Sequence, residues 1–260
     1  MARTSDILNS QQVIDQMGRN VDLPLFPKRV VSLVPSITEY LVDIGLGDRL
    51  VGRTKFCIRP KAVLKKVKVI GGTKQFNFDA IKELHPDLII GNKEENYQDG
   101  IEILAENYPV WMSDVQNMEQ NYDMMMSLGV ITGCESQAGL WASKVRENFK
   151  KYYKRYSGRV LYMIWRKPYM AAGSDTFISH VLDYLGYENA VLQRRYPEID
   201  PFILEELKPD QIFLSSEPFP FKIKHVQEME SLQPSAKARL VDGEAFSWYG
   251  SRLAKVTFDF

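Results

Sequence analysis

One pattern occurs twice in this chain. Ile81-Lys82-Glu83-Leu84-His85-Pro86-Asp87-Leu88-Ile89-Ile90 and Leu204-Glu205-Glu206-Leu207-Lys208-Pro209-Asp210-Gln211-Ile212-Phe213 each read as a helix end, a Pro-Asp turn and an apolar strand. A repeat at so long a period points to two similar lobes and not to a solenoid. The alternative is two ordinary helix-to-strand junctions that happen to look alike.

The text around each copy alternates between short apolar runs and amphipathic stretches. Arg29 to Pro35 is a β-branched run that reads as a buried strand. Ser36-Ile37-Thr38-Glu39 follows as a Ser-x-x-Glu capping box, opening a helix over Ile37 to Ile44 that stops at Gly45. Further strands are expected at Arg49 to Thr54, Lys66 to Ile70, Asp87 to Asn92 and Val110 to Val115, with helical text such as Phe78 to Leu84 between them. Such alternation predicts a mostly parallel sheet flanked by helices.

From Glu135 to Tyr156 there is neither Pro nor a break after Gly139, and Leu140, Val145, Phe149 and Tyr152 fall at helical spacing. This predicts one helix of roughly six turns, about 30 Å long at 1.5 Å per residue. The alternation then restarts, with strands at Arg159 to Trp165, Gln211 to Ser215 and Ala238 to Val241 and helices at Asp175 to Leu185 and Phe202 to Leu207. The predicted organisation is therefore an α/β lobe over 1–134, a connecting helix over 135–157 and a second α/β lobe over 158–260. In open parallel sheets ligands sit beyond the carboxyl ends of the strands, so two facing lobes predict a ligand cleft there.

Composition narrows the function. The 33 acidic and 33 basic residues cancel, which leaves no long-range field for nucleic acid or anionic membrane. Cys57 and Cys134 lie far apart with no C-x-x-C pattern, and His85, His180 and His225 are scattered, so neither a zinc nor a haem-iron site is expected. Two free buried thiols are the expectation. No apolar run approaches the roughly 18 residues of a membrane span. Met1 to Asp15 is polar and lacks the order of a secretory signal, so a cytoplasmic location follows if Met1 is the native start.

Read in order, RVVSLVPSITEYLVDIGLGDRLVG, VIGGTKQFNFDAIKELHPDLIIGN, AAGSDTFISHVLDYLGYENAV, DPFILEELKPDQIFLSSEP and SWYGSRL resemble the binding proteins of cobalamin, haem and ferric-siderophore ABC transporters, over Asp15 to Leu253. The resemblance implies lobes bridged by a single helix, a monomer in the periplasm or cell envelope, a metal-chelate ligand, no resident cofactor and an ABC permease partner. It also implies one docking carboxylate per lobe. Asp79 fills the first position; Phe202 stands at the second, with Glu205 and Glu206 one turn on.

Candidate ligand contacts are the strand ends and the turns after them. Pro35, Ser36 and Thr38 open a helix whose backbone N–H groups suit a ligand oxygen, or Ser36 is simply a cap. Lys55, Lys74 and Gln75 follow other strands. Glu94, Glu95 and Asn96 form a polar cluster where the related proteins meet their ligands; the cluster alternatively caps the next helix. In the second lobe Trp165 and Tyr169 flank cations, Tyr196 matches a cleft aromatic of the cobalamin binders by position, and Trp248 and Tyr249 lie near the C-terminus. Flat rings suit a flat macrocycle or a catecholate, and Arg166, Arg194 and Arg195 suit carboxylates or phenolates. These features favour reversible capture of a cobalamin-type or ferric chelate. The rival reading is a cytoplasmic enzyme or chaperone of metal-tetrapyrrole handling, with Glu94 or Glu95 as general base.

Overall fold

The computed structural model describes residues 10–259. The chain divides into two compact units. One takes the chain up to Val115 together with Glu119–Val145 and Tyr249–Arg252; the other takes Gln116–Met118, Arg146–Trp248 and the chain from Leu253.

The first unit begins with an antiparallel hairpin, β1 (Ser10–Ile14) and β2 (Asn20–Pro24). Its turn is tied by Asp15, whose carboxylate takes the backbone N–H groups of Met17 and Arg19 and pairs with the Arg19 guanidinium at 2.7 Å. The sheet proper holds β3 (Val30–Ser32), β4 (Leu50–Arg53), β5 (Lys68–Val69), β8 (Leu88–Asn92) and β9 (Val110–Ser113), in the order β5-β4-β3-β8-β9 with every pairing parallel. Between β5 and β8 lies a two-residue-stranded hairpin, β6 (Gly71–Gly72) and β7 (Gln75–Phe76). Gly71 is obligatory there: its φ is +110°, and a Cβ would stand 2.4 Å from the Gln75 carbonyl oxygen. The helices are α1 (Pro35–Asp43), α2 (Lys61–Leu64), α3 (Phe78–Glu83), α4 (Gln98–Ala105), α5 (Met118–Thr132) and α6 (Glu135–Lys150), of which Met118 and the last turn of α6 from Arg146 belong to the second unit. Central strands β3 and β8 are buried throughout, as the uninterrupted apolar text of a strand covered on both faces requires.

The second unit has β10 (Arg159–Trp165), β11 (Met170–Ala171), β12 (Glu188–Asn189), β13 (Gln211–Ser215) and β14 (Lys237–Val241), with α7 (Phe177–Leu185), α8 (Pro201–Leu207), α9 (Ile223–Leu232) and α10 (Gly243–Ser247). Strand β10 pairs in parallel with β12 and β13, β13 pairs in parallel with β14, and only β11 is antiparallel. Leu161, Met163, Ile212, Leu214, Leu204 and Met229 form the core between sheet and helices.

The repeated Pro-Asp junction does the same work in both units. His85 and Lys208 turn the chain at φ 43° and 42°. Asp87 then accepts the N–H of Arg29, at the start of β3, at 2.7 Å, and Asp210 accepts the N–H of Arg159, at the start of β10, at 2.6 Å. The arginines return the bond: Arg29 Nε donates to the Leu84 carbonyl and Arg159 Nη1 to that of Leu207.

Two expectations need correction. The helix predicted to reach Tyr156 ends at Lys150, because the N–H groups of Lys154 and Tyr156 donate instead to the carbonyls of Tyr184 and Leu185 at the end of α7. Leu140, placed on its apolar stripe, is 55% exposed, and the buried face runs through Ala138, Ala142, Val145 and Phe149. The capping box at Ser36 is also absent. Helix α1 starts at Pro35 with Val34 as its uncapped N-cap, and Glu39 is drawn into a buried ion pair with Arg252 at 2.7 Å.

Removing either clamp exposes strand-end N–H groups to loss of a charge-assisted acceptor. Asp87→Ala and Asp210→Ala are each expected to cost about 1 to 2 kcal/mol, read by urea denaturation, whereas Glu147→Ala on the exposed face of α6 is expected to stay within about 0.5 kcal/mol.

Candidate functional site

In the first unit the candidate residues lie on the segments that leave β3, β4 and β8 at the carboxyl end of the sheet and on the β6–β7 hairpin. Asn92, the last residue of β8, organises the loop. Its Nδ2 donates to Ser113 Oγ at 3.0 Å, and its Oδ1 accepts the N–H groups of Glu94 and Glu95 at 2.8 and 3.0 Å. Asn96 closes the loop from the other side, accepting the Asn92 N–H at 2.9 Å and donating to the Thr73 carbonyl at 3.1 Å. Asn96 is thus consumed in shaping the loop. Lys74, at the tip of the β6–β7 hairpin, donates to the Glu94 carbonyl at 2.7 Å, while Gln75 beside it is exposed. Glu94 keeps one buried carboxylate oxygen, Oε1, that has no hydrogen-bond partner among the described residues.

The residues around Pro35 divide in the same way. Ser36 is buried next to Tyr249, and Thr38 is fully buried, donating to the Val34 carbonyl at 2.8 Å and lying against Cys57 Sγ at 3.0 Å. Thr38 therefore braces α1 against the thiol. Lys55 is exposed, its ammonium 5.1 Å from the centre of the Phe56 ring. Tyr249 reaches this edge because the short segment Tyr249–Arg252 is fixed residue by residue. Gly250 N–H donates to Asn121 Oδ1 at 2.6 Å, Ser251 to Asp43, and Arg252 pairs with Glu39. Burial, and next the charge of Glu95, hold the Tyr249 phenol protonated far above its ordinary range, against hydrogen bonds with Ser113 and Ser36. It is a hydrogen-bonding group that stays neutral at every physiological pH.

The second unit presents a different chemistry at the carboxyl end of its sheet. Trp165, the last residue of β10, is 39% exposed, and its ring meets Phe219 edge-on at 5.8 Å. Arg166 does not stand free: its guanidinium engages Glu228 on α9 through Nη2 at 2.9 Å and Nε at 3.2 Å. The Tyr169 hydroxyl donates to the same carboxylate. Arg194 pairs with Asp175 at 3.1 Å, and Tyr196 is half-buried. Trp248 is buried, hydrogen-bonded to the Glu217 carboxyl, which Ser247 Oγ also donates to at 2.7 Å. Sequence reasoning missed Glu217 and Glu228. Glu217 follows the end of β13 and was legible as a strand-end position; Glu228 sits in polar helical text with no local mark.

The docking positions are open to solvent. Asp79 is exposed in the first turn of α3, Glu205 is exposed on α8, and Phe202 is 70% exposed. Among the described residues no group of three or more His, Cys, Asp or Glu side chains could hold a metal ion, both cysteines are free and buried, and no helix is long and apolar enough to cross a membrane. A hollow of about 310 Å³ lies elsewhere in the second unit, lined by Arg159, Val191, Leu192, Ile203 and their neighbours at the amino end of β10. Glu206 borders it, and none of the candidate ligand contacts does.

Burial raises the Glu217 carboxyl above its ordinary value, with the Ser247 hydrogen bond opposing it. A raised folded-state value means that the folded protein binds the proton more tightly. The contribution is therefore full below the ordinary carboxylate range and is lost as pH rises through the folded value. Glu217→Gln is expected to remove that loss, so that its stability relative to the parent improves on going from pH 4 to pH 7; thermal unfolding across that range reads it, and an unchanged difference contradicts it.

Comparison with known proteins agrees with this architecture. A vitamin B12-binding protein of Yersinia pestis is 27% identical over 195 residues, covering 72% of this chain and 69% of the relative. An uncharacterised ABC transporter substrate-binding lipoprotein of Bacillus subtilis is 27% identical over 217 residues, covering 76% of this chain and 67% of its own. Among solved structures, the molybdate-binding protein MolA of Haemophilus influenzae superposes with a TM-score of 0.80 at 16% identity, covering 94% of this chain and 88% of that one. The siderophore-binding protein BauB superposes with a TM-score of 0.76 at 18% identity, covering 95% of each chain. At these identities the structural likeness speaks for the fold. The family model described as periplasmic binding protein matches residues 30–238, from the first strand of one parallel sheet to the last strand of the other, and the chain belongs to that family.

Proposed function

We propose that this substrate-binding protein captures a bulky metal chelate, a cobalamin-type corrinoid or a ferric siderophore, for uptake by an ABC permease in the cell envelope, and releases it chemically unchanged. The observation that carries the reading is Trp165: a large aromatic ring left 39% exposed at the carboxyl end of a parallel strand, braced from behind by Phe219. A ring held in that way offers apolar area at little conformational cost to the face of a macrocycle or an aromatic chelator. Relatives of the family include a vitamin B12-binding protein and a siderophore-binding protein, which supports the choice of ligand class. The molybdate binder with the same fold marks a different ligand chemistry, one that an exposed indole does not serve.

The first unit has a polar edge of its own. One Glu94 oxygen lacks a partner among the described residues, in a loop already closed by Asn92 and Asn96, so no large ordering cost falls on binding there. Asp79 and Glu205 are the carboxylates available to a permease, with Phe202 giving the second position an apolar contact in place of a charge.

A ligand that favours the folded state must raise its melting temperature; at about 1,000 times Kd the gain is about 4 kcal/mol. Cyanocobalamin, haemin and a panel of ferric siderophores are to be screened by melting temperature and tryptophan quenching. At least one chelate is expected to respond, with Trp165→Ala weakening it about tenfold or more. Silence across the whole panel overturns the reading. Glu95→Gln is expected only to modulate affinity, since a general-base role would instead make it abolish a chemical conversion of the ligand.

A further inference from the structure

The loop that follows Trp165 carries two groups that look like ligand contacts in the sequence, and both are turned onto one protein carboxylate. Arg166 and Tyr169 bracket Lys167 and Pro168, with Lys167 at φ 69°. From either side of that turn the guanidinium, through two nitrogens, and the phenol converge on Glu228. Glu228 lies far along the chain on α9, so the loop is pinned to a helix and not to itself. The neighbouring aromatics extend the brace: Trp165 packs on Phe219, Phe219 on Phe221 at 4.8 Å, and both phenylalanines on His225, one turn before Glu228.

We infer that Glu228 is a positioning residue, which fixes the Trp165–Tyr169 loop as a preformed platform and cancels the charge of Arg166 next to Trp165, so that the guanidinium is withheld from the ligand and the ring is presented to it. The geometry is that of a bidentate arginine–carboxylate pair, the arrangement in which the fork of the guanidinium fits both carboxylate oxygens and its orientation is most restricted. A carboxylate that also accepts the Tyr169 proton removes a second donor from the ligand's reach. The platform's role in binding rests on the function proposed above; the electrostatic arrangement does not, and it is measurable without any ligand.

The test is collisional quenching of Trp165 by iodide and by acrylamide, taken as the signal lost in a Trp165→Phe background. Freeing Arg166 with Glu228→Gln places an uncancelled cation beside the indole, and the iodide-to-acrylamide quenching ratio is expected to rise about twofold at low ionic strength and to fall back in high salt. Arg166→Gln leaves the carboxylate uncancelled, and the ratio is expected to fall. The double variant Arg166→Gln/Glu228→Gln is expected to return to the parent value, and Glu230→Gln, exposed on the same helix, to leave it unchanged. Should one single variant fail to fold, the other still decides by its sign. An unaltered ratio in a folded single variant overturns the inference, as does an equal rise for iodide and acrylamide, which marks loosening without a charge effect. The binding arm uses haemin as an anionic probe and cyanocobalamin as an uncharged-face probe. Glu228→Gln is expected to shift the ratio of their affinities about tenfold toward haemin, and an unshifted ratio contradicts the platform's charge role. If neither these probes nor any ferric siderophore of the panel binds the parent while the quenching signs hold, the proposed function fails and the electrostatic arrangement stands.

Discussion

Each sheet is set in place by an aspartate at the amino end of one strand that takes the backbone N–H at the amino end of its neighbour. In the first unit it is Asp87 on Arg29, in the second Asp210 on Arg159. Parallel strands have no hairpin turn to fix their register, so register must come from packing and from contacts at the strand ends. With the clamp holding one end, the length of each strand decides where its other end falls. That is why Ser32 falls level with Ile90 in one unit, and Met163 level with Leu214 in the other. The chemistry at the carboxyl ends depends on a bond at the amino ends.

The two edges so produced differ in kind. The first is a closed polar loop, in which Asn92 and Asn96 spend their hydrogen bonds on the loop backbone and on Ser113 and leave one Glu94 oxygen without a partner among the described residues. The second is an aromatic edge at which two of the guanidiniums are matched within the protein, Arg166 by Glu228 and Arg194 by Asp175. Positive charge therefore contributes less at these positions than their sequence suggests. Under the proposed function, affinity there comes from ring contact and from surfaces ordered before the ligand arrives, which is the economical way to hold a large and rather rigid molecule.

Much of this was legible in the residues. The Pro-Asp repeat announced both junctions, and the apolar runs at Val30, Leu88, Val110, Arg159 and Gln211 announced the strands, because buried parallel strands write themselves as uninterrupted hydrophobic text. What stayed hidden depended on distant partners. The end of α6 at Lys150 follows from carbonyls on α7, thirty-odd residues on, and no local signal competes with helical spacing there. Glu39 resembled half of a capping box until Arg252 claimed it. Thr38 and Asn96 read as ligand contacts because exposure cannot be told from sequence, and a small polar side chain beside a strand end serves the backbone as readily as it serves a ligand. Trp165 and Trp248 show the same limit: similar text, one ring exposed and the other buried against Glu217.

The central claim, that the ligand is held at the carboxyl ends of the strands, is most directly tested by hydrogen–deuterium exchange with and without a bound chelate. Protection is predicted in the peptides carrying 93–96 and 165–169. Protection confined to the peptides around Arg159, Val191 and Ile203, which line the hollow at the opposite end of the second sheet, would contradict it.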